Sequence, residues 1–346
     1  MKKLVLLISM LSLINVSAQF ENMFTSNGDA NKYLSHYTAP VFNGFLYATG
    51  SSWFTSAKPL KKFHFQLNIA AAGAIIPDKE TRFTFNSSEY QYMSIKSGPD
   101  ELPTVLGGDA QSVLLIKVPV GSNMHQVAEL NALNGVDLKA DYNLPFNVVP
   151  APNIQVSMGL PLKSMVSLRY MPKLENNGAS IQLLGLGVMH SISQYFPVKK
   201  DENGKKIVRH LNLAVGAAFN SLSMEYIPEN TNDYKFLAGL NTFTIEGIAS
   251  LDWKFFSLYG GMGYTLGKGN LDMKGSFDIT YDIRDNNNIL LGTQTETITD
   301  PLKLRYNIGG MKTKIGAQLN LVFLKIFADY SFQKYPVANL GIAFKI

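Results

Sequence analysis

The sequence contains no cysteine, which excludes one common way of stabilising an exported protein. Without thiols there is no disulfide framework, and no cysteine can complete a zinc site. The stability of the folded chain must therefore come from packing and from complete hydrogen bonding of the backbone.

Charged residues are also scarce, at 16% of the chain with a net charge of +5. The densest basic stretch, residues 199–209, includes Asp201 and Glu202. Mixed charge of this kind is typical of a solvated loop rather than of a phosphate-binding patch. We therefore expect no nucleic-acid partner.

Long apolar runs are missing beyond the N-terminus, so no segment has the length of a transmembrane helix. The N-terminus itself begins with Lys2 and Lys3, continues with the apolar run Leu4–Ile14, and reaches the small-residue site Val16-Ser17-Ala18. These three parts predict a signal peptide, residues 1–18, that is removed at about Gln19. We therefore expect the protein to be exported.

Alternation of apolar and polar side chains is what the chain has in abundance. In the last segment Leu340, Ile342 and Phe344 alternate with small or polar residues. Successive side chains of a strand point to opposite faces, so one face of this strand is apolar. The pattern recurs over residues 63–69, 154–160, 211–219, 243–253 and 256–264. Behind an export signal it predicts an outer-membrane β-barrel with its apolar face toward lipid, whereas a soluble β-sandwich is the alternative fold.

The predicted fold class is all-β, a transmembrane antiparallel β-barrel with a short N-terminal helical plug. Residues 61–346 are assigned to the barrel, and about 20 residues per strand and connection give about 14 strands. Lipid offers no partner to a free strand edge, so the terminal strand should pair with the first one, near Phe63.

Residues 19–60 form the predicted plug. Asp29 is expected to cap a first helix, Pro40 to break it, and a second helix to end near Gly50. A segment this apolar should be buried within or under the barrel. Its aromatic and aliphatic side chains are candidates for a hydrophobic ligand surface, although simple packing of the plug against the wall is the favoured alternative for any single one of them: Phe42, Phe45, Leu46, Tyr47, Trp53 and Phe54.

Polar residues on the opposite strand faces are predicted to line the lumen: His64, Arg169, His210, Glu246 and Asp252. Opposite charges across a narrow lumen would pair and block water flow, which favours a plugged barrel over an open porin. A register shift of one residue would reverse each assignment.

No motif indicates catalysis or a cofactor. The glycines at 185, 187, 260, 261 and 263 do not fit a nucleotide-binding fingerprint. The five histidines include no pair at the i, i+4 spacing of a helical zinc site. There is no G-x-S-x-G elbow. We therefore predict a protein that is not an enzyme and has neither a metal nor a cofactor.

The N-terminal third of the chain and a later segment resemble an uncharacterised family of outer-membrane barrel proteins from Bacteroidetes. The residues that carry the resemblance are Tyr33-Leu34 and Pro40 in the helix, Trp53, Ala57, Lys58 and Pro59 in the loop that follows, and His190–Pro197. Ser52, Phe54 and Ser56 depart from the Gly, Tyr and Thr of the family pattern.

This family is distantly similar to FadL-type barrels, which carry fatty acids and other hydrophobic compounds past an N-terminal plug. The resemblance implies passive transport or binding of small hydrophobic, fatty-acid-like compounds at the outer membrane. FadL-like barrels also include a component of type IX secretion, so the alternative is a non-transporting barrel that docks a secretion or surface protein. The expected partners are outer-membrane lipid, a hydrophobic small molecule, or such a protein.

Overall fold

The computed structural model describes residues 23–120, 122–197, 210–228 and 233–345; the predicted signal peptide and the basic stretch 199–209 lie outside them. The helices are α1 (Asn27–Thr49) and α2 (Leu138–Tyr142). The strands are β1 (Phe65–Ile75), β2 (Arg82–Thr84), β3 (Met93–Ser97), β4 (Glu101–Pro103), β5 (Val113–Val120), β6 (Met124–Asn131), β7 (Val148–Leu160), β8 (Ser164–Asn176), β9 (Ala179–Ser191), β10 (Leu211–Tyr226), β11 (Tyr234–Asp252), β12 (Phe256–Asp285), β13 (Leu290–Thr299), β14 (Lys303–Asn320), β15 (Leu324–Phe332) and β16 (Val337–Lys345).

Ten of these strands close into an antiparallel ring in the order β1, β7 to β12, β14, β15 and β16. The ring closes where β16 pairs with β1, with Ile342 opposite Ile69. This confirms the predicted pairing of the terminal strand with the first. It also confirms the predicted antiparallel barrel, because a closed ring leaves no strand edge unpaired around its circumference.

A second group of strands lies at one end of the barrel. The outer part of the 30-residue strand β12 continues beyond the ring and pairs with β13 and β6, and β5 and β3 extend this sheet. We call this sheet, with the separate antiparallel pair of β2 and β4, the cap. The connected sheet thus contains 14 strands, but ten of them form the ring. The long connection 76–147 supplies cap strands, not barrel strands.

The outer surface of the barrel is apolar. Leu340 is 63% exposed on the outside, whereas its near neighbour Ala343 is 1% exposed. Other exposed side chains extend this apolar surface around the ring, including Ile154, Leu186, Val215, Ile245, Leu266 and Ile315. At the end where β1 begins and β16 ends, which we call the terminal end, several exposed residues are aromatic: Phe63, Phe65, Trp253, Phe255 and Phe323.

Helix α1 lies inside the ring and contacts β1, β7, β11, β12 and β14. It runs without interruption through Pro40, so the predicted break is wrong. The contacts along the whole helix inside the ring offset the single backbone hydrogen bond that proline removes. No helix among the described residues combines the length and the apolar composition needed to cross a membrane.

Asp29 is not the helix cap, which corrects the second prediction for this segment; the residue before the helix is Ser26. The Asp29 carboxylate instead accepts hydrogen bonds from the backbone N–H groups of Gln91, Tyr92 and Met93 in the cap, at 2.9, 2.6 and 2.9 Å. The start of α1 is therefore fixed to the cap, and the helix runs from there through the lumen toward the terminal end.

Candidate functional site

The end of α1 and the following loop, residues 50–60, occupy the terminal half of the lumen; together we call α1 and this loop the plug. The last carbonyls of a helix have no partner within the helix and carry partial negative charge. Asn220 donates a hydrogen bond to the carbonyl of Thr49 at 3.0 Å, and Thr244 donates to Gly50 at 3.1 Å. The barrel wall thus supplies the donors that the end of α1 needs.

Arg169, on β8, makes the most extensive contacts with the plug. Its guanidinium donates to the carbonyls of Thr49 and Ser51 at 3.1 and 3.0 Å, and to the Gln155 side chain at 3.0 Å. It also lies 3.9 Å from the ring centroid of Trp53, within the range of a cation–π contact. This fully buried cation therefore joins the wall, the helix end and the loop.

A buried ion cluster lies on the other side of the plug. Lys314 Nζ lies 2.5 Å from Glu246 Oε1, and Lys312 Nζ lies 2.8 Å from Oε2. The same ammonium groups donate to the carbonyls of Phe54 and Gly50, at 2.6 and 3.2 Å. All three side chains are at most 3% exposed, so each charge is stabilised by its ion pair and by the plug together.

Two aromatic side chains of the plug lie against glycines in the wall. A Cβ atom at Gly187 would lie 2.8 Å from the Trp53 ring, and one at Gly216 would overlap the Phe54 ring. Close packing is thus the role of the glycines in this part of β9 and β10, as expected for glycine within strands.

The six side chains predicted to form a ligand surface are all buried, at 0 to 4% exposure. Phe42 stacks on Tyr306 of β14 with ring centroids 4.5 Å apart, and Tyr47 packs on Tyr335 at 5.5 Å. Trp53 and Phe54 also contact each other, with ring centroids 6.4 Å apart. A role in ligand binding stays a prediction for Phe42, Phe45, Leu46, Tyr47, Trp53 and Phe54.

Of the five residues predicted to line the lumen, Arg169 and Glu246 lie deep inside it. Asp252 lies at the terminal end, where it accepts hydrogen bonds from Ser250 and Asn212. His64 and His210 are exposed at the terminal end, and a place in the lumen stays a prediction for both. His64 precedes β1 and His210 precedes β10, so both lie beyond the strands, where alternation no longer determines the direction of a side chain.

An open pocket of about 520 Å³ lies at the terminal end, between the plug loop and the barrel wall. We call it the mouth pocket. Its apolar lining consists of Pro59, Leu60, Phe65 and Trp253. Its basic lining consists of Lys58, Lys61, Lys254, Lys325 and Lys345, with His64 beside them.

Sequence reasoning placed Lys345 on the inward face, but it missed the two lysines of the ion cluster and the grouping of lysines at the mouth pocket. Lys312 and Lys314 alternate with the exposed Met311 and Ile315. The period-two pattern of this strand therefore indicated that both lysines point inward. The mouth lysines come from separate strand ends and the plug loop, and only the closed ring brings them together. Among the described residues no group of three His, Asp or Glu side chains could hold a metal ion.

The whole chain, residues 1–346, matches the model of a family of unknown function, DUF6588. The chain belongs to this family. The match agrees with the resemblance to an uncharacterised family seen in the sequence. No curated protein matches the chain.

Solved structures similar to this DUF6588 protein are distant. Ail, the attachment invasion locus protein of Yersinia pestis, is 10% identical, with a TM-score of 0.25 over 83% of this chain and 100% of that one. The outer membrane protease OmpT from Escherichia coli is 9% identical, with a TM-score of 0.27 over 84% and 100%. The translocator domain of the autotransporter NalP from Neisseria meningitidis is 7% identical, with a TM-score of 0.24 over 83% and 90%. Similarity at this level carries no argument about function, and the absence of enzymatic activity stays a prediction.

Proposed function

We propose that this protein resides in the outer membrane as a plugged barrel and binds small hydrophobic, fatty-acid-like compounds at its mouth pocket. Residence in a membrane is supported by the closed ring of hydrogen-bonded strands and its apolar outer surface, the combination that a lipid environment requires. The aromatic residues at the terminal end suit the interface between lipid and water.

The observation that carries the binding proposal is the mouth pocket. Its volume lies within the range of about 300–1,000 Å³ that is typical of small-molecule sites. Leu60, Phe65 and Trp253 give it an apolar side, and the plug closes the lumen directly behind it. A compound bound there would be held where passage through the lumen begins, and transport would require the plug to move.

Membrane residence is tested by fractionation and by electrophoresis. The protein should fractionate with outer membranes, and unboiled and boiled samples should migrate differently on a denaturing gel because the closed barrel resists detergent. Recovery from the soluble periplasmic fraction would contradict the proposal.

Ligand binding is tested by titrating the purified protein with a fluorescent fatty-acid probe. Trp253→Ala should weaken probe binding because Trp253 lines the mouth pocket. Trp53→Ala is the matched variant, since Trp53 lies deeper in the plug and would matter if the plug itself formed the ligand wall. Probe binding unaffected by either substitution would argue against a site inside the barrel.

Partner docking is the second candidate, and β13 is the observation that favours it. Among the described residues this strand pairs with β12 on one side only, and nearly all of its residues are exposed. An exposed strand edge is a template for a strand from another chain. Thr295→Pro should then abolish co-purification of a stoichiometric protein partner, and purification of the intact barrel without any such partner would count against docking.

A further inference from the structure

The mouth pocket has an excess of positive charge that the described part of the chain does not neutralise. Five lysines line it, and none of them forms an ion pair among the described residues. Lys325 on β15 pairs in register with Ala343, two residues before Lys345 on β16. The two side chains are therefore diagonal neighbours on adjacent strands. Like charges this close repel each other, and an anion between them would relieve the repulsion.

Asp252 is the carboxylate in the lining, and its oxygens already have partners. Ser250 and Asn212 donate to Oδ2 at 2.6 and 2.8 Å, and Ser56 donates to Oδ1 at 3.3 Å. This carboxylate is thus held on the wall and on the plug loop by neutral groups. Its charge attracts Lys325 and offsets one of the five ammonium charges, so the lining keeps a net positive charge.

We propose that the mouth pocket binds an anionic amphiphile, with an oxyanion head group among the lysines and an apolar chain against Leu60, Phe65 and Trp253. The apolar chain of this ligand rests on the proposed function. The negative charge of its head group is the new part of the inference. A carboxylate and a phosphate ester share the required head-group chemistry, since both accept charge-assisted hydrogen bonds from ammonium groups. The volume of about 520 Å³ suits a head group with a short chain.

The test uses the full-length protein in nanodiscs of zwitterionic lipid, so that no anionic lipid competes. Equilibrium dialysis measures binding of decanoate, decyl phosphate, the neutral decanol and inorganic phosphate. The variant is Lys325→Gln with Lys345→Gln, and the matched control is Lys274→Gln with Lys334→Gln, two exposed lysines away from the terminal end. Heat-modifiable migration confirms that each variant remains folded.

Decanoate or decyl phosphate should bind more tightly than decanol, and the Lys325/Lys345 variant should weaken that binding by about tenfold, which corresponds to 1.4 kcal/mol. The control should bind like the unaltered protein, and the tighter of the two anions identifies the head group. Equal binding of decanoate and decanol, insensitive to the lysines, would overturn the anion site but leave the hydrophobic-compound proposal standing. Inorganic phosphate binding as tightly as decyl phosphate would overturn the amphiphile, and binding of none of the four would overturn both proposals.

Discussion

Arg169 shows how single residues fix the plug in the lumen. Its hydrogen bonds to two plug carbonyls and its contact with Trp53 come from one planar group with five fixed donors, a geometry that lysine cannot reproduce. The Arg169 side chain is 1% exposed, so its charge needs partners within the protein. The two carbonyls, the Gln155 side chain and the face of Trp53 provide them.

Substituting Arg169 by Gln should loosen the plug. The carbonyl of Ser51 would lose its donor, at about 1–3 kcal/mol for a buried group left unpaired, whereas that of Thr49 would keep the hydrogen bond from Asn220. Because the chain has no cysteine, a single Thr55→Cys reporter in the plug loop can be labelled with a membrane-impermeant maleimide. Labelling should be faster with Arg169→Gln. Arg305→Gln, which removes a more exposed ion pair with Asp272, should leave the rate unchanged.

Gly187 leaves room for the Trp53 ring, and a larger side chain at this position should displace that ring. Gly187→Val would place atoms within 3 Å of the Trp53 ring and displace it, whereas Gly247→Val would add atoms on the open outer face. In a Trp253→Phe background Trp53 is the remaining tryptophan, so its emission reports on this position. We expect a red shift for Gly187→Val alone; identical spectra for the two variants would show that Trp53 does not pack on β9.

At the scale of elements, the ring strands were predictable because alternation is a property of each strand by itself. The terminal strand β16 has the predicted register, with Leu340 outward and Ala343 inward. The continuity of α1 through Pro40 and the extension of β12 into the cap were not predictable in this way. Both depend on tertiary contacts, inside the lumen for α1 and with β6 and β13 for β12.

Strand β16 offers a direct test of that register. Phe344→Asp puts a charge on the outer face near the terminal end of β16. The cost should be below the range of about 2–4 kcal/mol of a basic residue at the membrane midplane, because acids cost less and the cost falls toward the interface. Lys345→Gln alters the neighbouring residue at the mouth and should have little effect on assembly. Quantitative immunoblots of outer-membrane fractions should show a clear loss for Phe344→Asp, and equal levels of the two variants would mean that this face does not contact lipid.

The candidate site combines residues that were predictable with residues that were not. The inward direction of Arg169 and Glu246 was predictable, because alternation along a strand shows which side chains point inward and which point outward. The partners of Arg169 in the plug, and the lysines of the mouth pocket, meet only after the ring closes around α1. Distances across a barrel depend on which strands are neighbours, and the local pattern of a single strand does not contain that information.

For the whole molecule, the central claim is that a closed membrane barrel contains its own N-terminal segment as a plug. The cap fixes the start of the plug through Asp29, and the wall fixes its end through Arg169, Lys312 and Lys314. With the plug in place, the lumen behind the mouth pocket is filled by protein. Without it, the inward polar groups of the terminal half would face water.

Single-channel conductance in planar bilayers tests this claim most directly, by comparing the intact protein with a variant that lacks residues 27–58. Heat-modifiable migration of the variant establishes first that the barrel remains closed. The intact protein should conduct little, and the deletion should raise ion conductance because it removes both α1 and most of the plug loop from the lumen. A folded deletion variant that conducts no better than the intact protein would contradict the account.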